Sequence, residues 1–188
     1  MLTKLSHILK RKANYTNIII VLVAYLILNL LVFPYFINQI SEDKKILDLT
    51  FGFAPQSAYE ILSSYSNNEL SAYRNMLLYA DLIYPFVYSL LLSFGISLNI
   101  KKIIRPGSKL QYLNLLPALP LFFDLLENTS SLIMIRMLPE ESITAAYICS
   151  VAGVLKWITI SLCIFIVLLV VILRFINYRQ KIKTINKH

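Results

Sequence analysis

Apolar positions gather in four long runs, Ile18 to Ile37, Asn75 to Leu98, Tyr112 to Leu138 and Ile143 to Ile176, and charge collects in the intervals between them. Each run reaches the ~20 residues that a helix rising about 1.5 Å per residue needs to cross a bilayer. The pattern predicts an all-α, polytopic four-helix transmembrane bundle, a single integral membrane domain over residues 1–188. Its parts are a basic arm (1–17), a first span (18–37), a loop (38–74), a second span (75–98), a basic loop (99–111), a third span (112–138), a short loop (139–142), a fourth span (143–176) and a basic tail (177–188). The last run is long enough to tilt or to project beyond the bilayer.

Inside the 38–74 loop the period changes. Pro55 suits a first helical turn, and Ala58, Ile61, Leu62 and Tyr65 recur at helical spacing opposite Gln56, Glu60, Ser63 and Ser64, which predicts a short amphipathic helix. Interfacial packing is the simpler reading of such a face, and a functional lid is the alternative. Ser66-Asn67-Asn68-Glu69 then has capping-box spacing, so the helix of the second span is expected to start ahead of its apolar run.

Composition narrows the class. With 57% hydrophobic residues the chain does not read as a soluble domain. Ile18 to Ile37 is too long for a signal-peptide core and no small-residue cleavage site follows it, so it is expected to stay as an anchor. The formal charge of +8 comes from basic residues that flank the spans instead of forming a stripe with interleaved aromatics, so no nucleic-acid partner is expected. Lys4, Lys10, Arg11 and Lys12 lie in the arm, Lys101, Lys102, Arg105 and Lys109 in the second loop, and Arg174, Arg179, Lys181, Lys183 and Lys187 toward the tail, with no acid in any of these segments. Lys and Arg accumulate on the cytoplasmic side, so both termini are expected to be cytoplasmic and the 38–74 loop to face outward.

Against this background the polar residues within the spans stand out, because an ionisable side chain in hydrocarbon is costly. Counted from the cytoplasmic ends at 1.5 Å per residue, Asp81 lies roughly 27 Å along the second run, Asp124 and Glu127 lie roughly 20 and 24 Å along the third, and Lys156 lies beyond the midpoint of the fourth. All four fall in the outer half of the bilayer, with Asn29 slightly deeper. Asp124, Glu127, Asn128 and Ser131 follow i, i+3, i+4, i+7 and form one helical stripe, and Arg74, Asp81, Tyr84 and Tyr88 are expected to form another. Pro85 has no amide hydrogen, which leaves the Asp81 carbonyl as an extra acceptor. Ala145, Cys149, Ala152 and Gly153 share a face with Lys156, so that lysine is expected to face neighbouring helices. Three acids against one lysine leave surplus negative charge, so at least one carboxyl is expected to be protonated.

These residues define the candidate site: Asp124, Glu127 and Lys156 as an acid/base group, with Asp81, Tyr84, Tyr88, Asn128 and Asn29 as ligand-binding residues. Three readings stay open. One is a site for a membrane lipid or sterol-like small molecule, with acid/base chemistry. The second is a structural or scaffolding subunit whose polar residues only hold helices together, in this chain or with a partner helix or a homo-oligomer. The third is a proton or ion pathway in an oligomer. His7 and His188 lie near the termini, away from any buried hydrolase or metal site, so no metal and no cofactor are expected. Trp157, beside Lys156, reads as packing or interfacial anchoring. Cys149 and Cys163 are about 21 Å apart along one helix, beyond disulfide reach. The Asn14-Tyr15-Thr16 and Asn128-Thr129-Ser130 triplets are chance matches to the glycosylation pattern on this topology.

In size, span number and acids in the outer half, the chain resembles in outline the EXPERA-type membrane proteins, which include emopamil-binding sterol isomerases. The stretches at issue are Tyr79-Ala80-Asp81-Leu82-Ile83-Tyr84-Pro85 and Phe123-Asp124-Leu125-Leu126-Glu127-Asn128. The resemblance implies a pocket for a sterol-like or lipid-like molecule, with acids that stabilise a cation or move a proton. It is architectural, and no functional residue of that family is carried over.

Overall fold

A computed structural model describes residues 2–104 and 108–185, with side chains described as far as residue 179. Arg105, Lys187 and His188 lie outside the described residues, as do the side chains of Lys181 and Lys183. All regular structure among the described residues is helical. Four helices are long and apolar enough to cross a membrane, Tyr15–Ile37, Asn67–Ile103, Lys109–Met137 and Ile143–Arg179, which fits a multi-pass membrane protein.

The helices start and stop where local chemistry requires. Helix α1 (Leu2–Lys12) is separated from α2 (Tyr15–Ile37) by Asn14, whose side chain caps α2 by accepting from the Asn17 amide at 2.8 Å. Within α2 the turn Leu28–Val32 widens to a π-helical turn just before Pro34. That widening absorbs a ring that would otherwise collide with the preceding turn. Helix α3 (Pro55–Ser64) opens on its proline and buries Ala58, Tyr59 and Leu62. Helix α4 (Asn67–Ile103) begins with a capping box between Ser66 and Glu69, passes through a second π turn at Met76–Ala80, and resumes regular form at Tyr84 with Pro85 in its first turn. Helix α5 (Lys109–Met137) starts as 3-10 helix over Lys109–Leu115 and becomes α-helical at Ala118, after Pro117. Helix α6 (Ile143–Ile185) has 43 residues, about 65 Å at 1.5 Å each.

Small side chains decide the packing. Ala145, Ala146, Cys149, Ala152 and Gly153 line the buried side of α6 and let α5 approach closely. Helix α4 packs against α2, α5 and α6, whereas α2 has no buried residue. The main apolar cluster lies where the 38–66 connection folds back across the helices, joining Leu47, Leu62, Tyr73, Leu77, Met134 and Ala146. Tyr59 of α3 accepts from the Ser142 amide at 2.6 Å, and the Phe53 amide donates to Ser150 Oγ at 2.9 Å, so the connection is fastened to the start of α6. Glu69 adds a hub: its carboxylate accepts from Ser41 N and Oγ, Ser66 N and Oγ, and Lys44 Nζ, at 2.6 to 3.0 Å.

The far end is tied differently. Asn114, fully buried at the start of α5, donates to the Ser6 carbonyl at 3.0 Å and to Ser97 Oγ at 2.9 Å, and accepts from Ser6 Oγ at 2.8 Å. One amide side chain thus joins α1, α4 and α5, which leaves its polar atoms paired in a setting where unpaired ones are expensive.

Candidate functional site

The stripe on α5 points inward: Asp124, Glu127, Asn128 and Ser131 are all at most 4% exposed. Lys156 of α6 meets it. Its Nζ lies 2.5 Å from Glu127 Oε2 and 3.7 Å from Asp124 Oδ1. Tyr88 of α4 donates to the other Asp124 oxygen at 3.0 Å. Asn128 Nδ2 donates at 2.9 Å to the carbonyl of Asp81, the acceptor left free by Pro85. Ser131 Oγ and Cys149 Sγ are 3.1 Å apart, which closes the α5–α6 seam. Gly153 leaves room for Glu127, since a Cβ there would stand 2.6 Å from Oε1, closer than real contacts allow.

The second stripe departs from its expected form. Asp81 and Tyr88 are buried, but Arg74 is exposed. A π turn holds more residues than an α turn, and the chain makes a further turn at 81–83 before helix resumes, so the phase slips between residue 74 and residue 84. Tyr84 keeps a place at the site. Its hydroxyl donates to Asn29 Oδ1 at 3.3 Å, and its ring lies 5.7, 5.0 and 5.3 Å from those of Tyr25, Phe33 and Tyr88. Beside Trp157, expected to pack or to anchor at an interface, Lys156 Nζ sits 5.5 Å from the ring centroid, within cation–π distance.

One acid at the site comes from outside the spans. Asp48, in the short 3-10 turn Leu47–Leu49, is 7% exposed and accepts from Tyr73 OH at 3.0 Å. Gly52, at φ +69°, turns the chain next to Val154, and a Cβ there would be 3.2 Å from Val154 Cγ2. The turn is therefore pressed onto α6. In the sequence, the available signal is an acid set in the apolar stretch Ile46-Leu47-Asp48-Leu49, directly after the charged run Glu42-Asp43-Lys44-Lys45.

A cavity of about 650 Å³ unites these elements. Asp48, Asp81, Asp124 and Lys156 reach it, together with Asn29 and the hydroxyl-bearing rings of Tyr25, Tyr84 and Tyr88. The remaining wall is aliphatic and aromatic, including Phe33, Leu92, Trp157 and Ile160. Glu127 and Asn128 stand behind that wall, between helices. Asp48 Oδ2 and Asp124 Oδ1 are buried without a hydrogen bond, and the Asp81 carboxylate makes none among the described residues. The arrangement offers carboxyl oxygens and one ammonium to whatever enters, with Lys156 held from behind by Glu127. Among the described residues no group of three His, Cys, Asp or Glu side chains is placed to hold a metal ion.

Burial pushes the Asp48 carboxyl above the usual carboxylate range, against the opposing pull of Lys156 and the Tyr73 hydrogen bond. A raised carboxyl pKa means that the folded chain binds this proton more tightly than the unfolded chain does. Ionisation therefore costs stability as pH rises, and that cost is absent below the unfolded pKa of about 4. Asp48→Asn, which keeps an acceptor for Tyr73, is expected to raise unfolding stability near pH 7 by about 1–3 kcal/mol, with the gain vanishing near pH 4. Thermal unfolding in detergent at the two pH values checks this. A gain that persists unchanged at pH 4 would refute the charge explanation.

Comparison with protein-family models, curated proteins and solved structures finds no match for the chain, so the resemblance in outline gains no support and the reading of the site rests on its geometry.

Proposed function

We propose that the chain forms a four-helix membrane bundle whose cavity holds a lipid-like or sterol-like molecule beside an acid/base pair, Asp124 and Lys156. The observation that carries this reading is the convergence of three carboxyls and one ammonium on a cavity whose other walls are apolar and aromatic. Apolar walls suit a hydrophobic body, and a few convergent polar groups suit orientation of its reactive end. Asp124, oriented by Tyr88, gives or takes the proton, and Lys156 stands beside the negative charge that develops. Glu127 is a positioning residue, since it touches Lys156 and does not line the cavity. The turn carrying Asp48 covers the site from outside the spans, and helix α3 packs in the apolar cluster that holds that turn. Thirteen basic residues and no acids in the arm, the second loop and the stretch from Arg174 onward favour a cytoplasmic position for both termini and the outer half of the bilayer for the cluster.

The test of the cavity is retention. Native mass spectrometry of the detergent-purified chain is expected to show a bound hydrophobic molecule of defined mass, lost in Ile160→Trp, which fills the cavity from α6. A chain that carries only the bulk lipids of its membrane, unchanged in the variant, would leave the structural reading in place. That reading has its own support in the 2.5 Å Glu127–Lys156 pair, which fastens α5 to α6.

Orientation has a separate test. Cys149 and Cys163 are fully buried, so a membrane-impermeant thiol reagent should meet little background. In intact cells it is expected to label Ser64→Cys and to spare Ser108→Cys. The opposite pattern would invert the topology.

A further inference from the structure

At the acid-free end of the chain, away from the cluster, a second cavity of about 610 Å³ lies between α4 and α6. Asn99, Lys102 and Arg174 supply polar groups, and Val171, Phe175 and Tyr178 supply apolar surface. Arg174 is held in place: Nη1 donates to Asn99 Oδ1 at 3.1 Å and Nη2 to Tyr15 OH at 3.3 Å. A guanidinium carries five N–H donors, so donors remain after these two bonds. Lys102 is exposed and makes no hydrogen bond or ion pair among the described residues. No acid lines this cavity, and all ten acids of the chain lie between Glu42 and Glu141, outside the segments that form it.

Two cations beside a cavity without a carboxylate call for an anion from elsewhere. The fixed guanidinium fork suits a phosphate, and the mobile ammonium adds a second point charge. What adjoins the polar groups selects among anions. Val171 and Phe175 stand at i and i+4 on α6, 44% and 55% exposed, so their shared face is open beside the charges. A small soluble anion would leave that face bare, whereas a phospholipid covers it with acyl chain while its phosphate meets Lys102 and Arg174. We propose that this cavity is a site for the phosphate of an anionic phospholipid from the leaflet at that end, with its chains along Val171 and Phe175. Basic pockets between helices at the cytoplasmic face recognise such head groups by the same electrostatics.

The test uses the full chain in detergent, titrated with phosphatidylglycerol against phosphatidylcholine and read by native mass spectrometry. The wild type is expected to prefer phosphatidylglycerol. Lys102→Gln with Arg174→Gln is expected to reduce that preference roughly 30-fold, at about a fivefold loss for each cation near the surface. Lys12→Gln with Lys109→Gln removes the same charge from exposed positions outside the cavity and is expected to leave the preference unchanged. Equal losses in the two double variants would overturn the site in favour of diffuse attraction. Lys102→Gln alone breaks no contact of the fold, so its expected fivefold loss decides the matter if Arg174→Gln does not fold, and no loss there overturns the proposal. Inorganic phosphate is expected not to displace the lipid at matched charge. Displacement by it would mean a soluble-anion site and would overturn the lipid assignment.

Discussion

Lys156→Met is expected to cost about 3–5 kcal/mol of stability, more than any other single substitution at the cluster. Among the described residues the ammonium is the only cation that reaches the cavity, and it faces Glu127 at 2.5 Å, Asp124 at 3.7 Å and a cavity also lined by Asp48 and Asp81. Methionine fills similar volume but leaves buried carboxyls with no counter-charge. The penalty is then paid by protonating them or by letting water in. A second substitution distinguishes lost charge from lost packing. Glu127→Gln in the Lys156→Met background removes the buried carboxylate that lay nearest the missing lysine and is expected to recover at least half of the loss. Thermal unfolding in one detergent across the three variants measures both effects. A single variant within about 1 kcal/mol of wild type, the scale of an ordinary intramembrane polar contact, would show that the cluster is not held together by this ion.

Asp124→Asn should have its large effect on turnover instead. The amide keeps the size of the side chain and an oxygen to accept from Tyr88, so folding and ligand retention are expected to change little. It cannot exchange the proton. Loss of a positioned acid or base lowers a rate by about 10²–10⁴-fold, so the molecule retained by the purified chain should accumulate unconverted in membranes of cells that carry this variant alone. Glu127→Gln would touch the proposed reaction only through Lys156 and is expected to leave partial conversion. Lipid profiles of deletion cells complemented with each variant provide the comparison. Conversion by Asp124→Asn at the wild-type level would remove proton transfer from the proposal.

How much of this is legible in sequence depends on how regular the backbone is between the residues compared. On α5, regular from Ala118 to Met137, the spacing of Asp124, Glu127, Asn128 and Ser131 suffices to place them on one buried face. On α4, the same counting fails for Arg74, because the widened turn at Met76–Ala80 and the break before Tyr84 shift the phase in a way that apolar composition does not signal. The one local clue is Pro85. Helical spacing also cannot divide Asp124 from Glu127. Both share a stripe, and only the approach of α6, made close by Gly153, places Glu127 in the seam and leaves Asp124 facing the cavity. Asp48 escapes for a different reason. Its contact with the site is made across a loop, through Leu47 in the core and the Gly52 turn against Val154, and no periodicity encodes such a contact.

The sparse burial of α2 bears on how any occupant of the main cavity would be measured. Tyr25, Asn29 and Phe33 line that cavity from a helix with no buried residue, and Trp157, 39% exposed, lines it from α6. The cavity wall is thus also the perimeter of the protein, and the proposed hydrophobic occupant would arrive from the surrounding lipid. Its effective concentration is then a mole fraction in the leaflet, not a molarity in water. Apparent affinity will weaken as lipid or detergent is added at constant total ligand, by surface dilution alone, and saturation curves will superimpose only when plotted per mole of amphiphile.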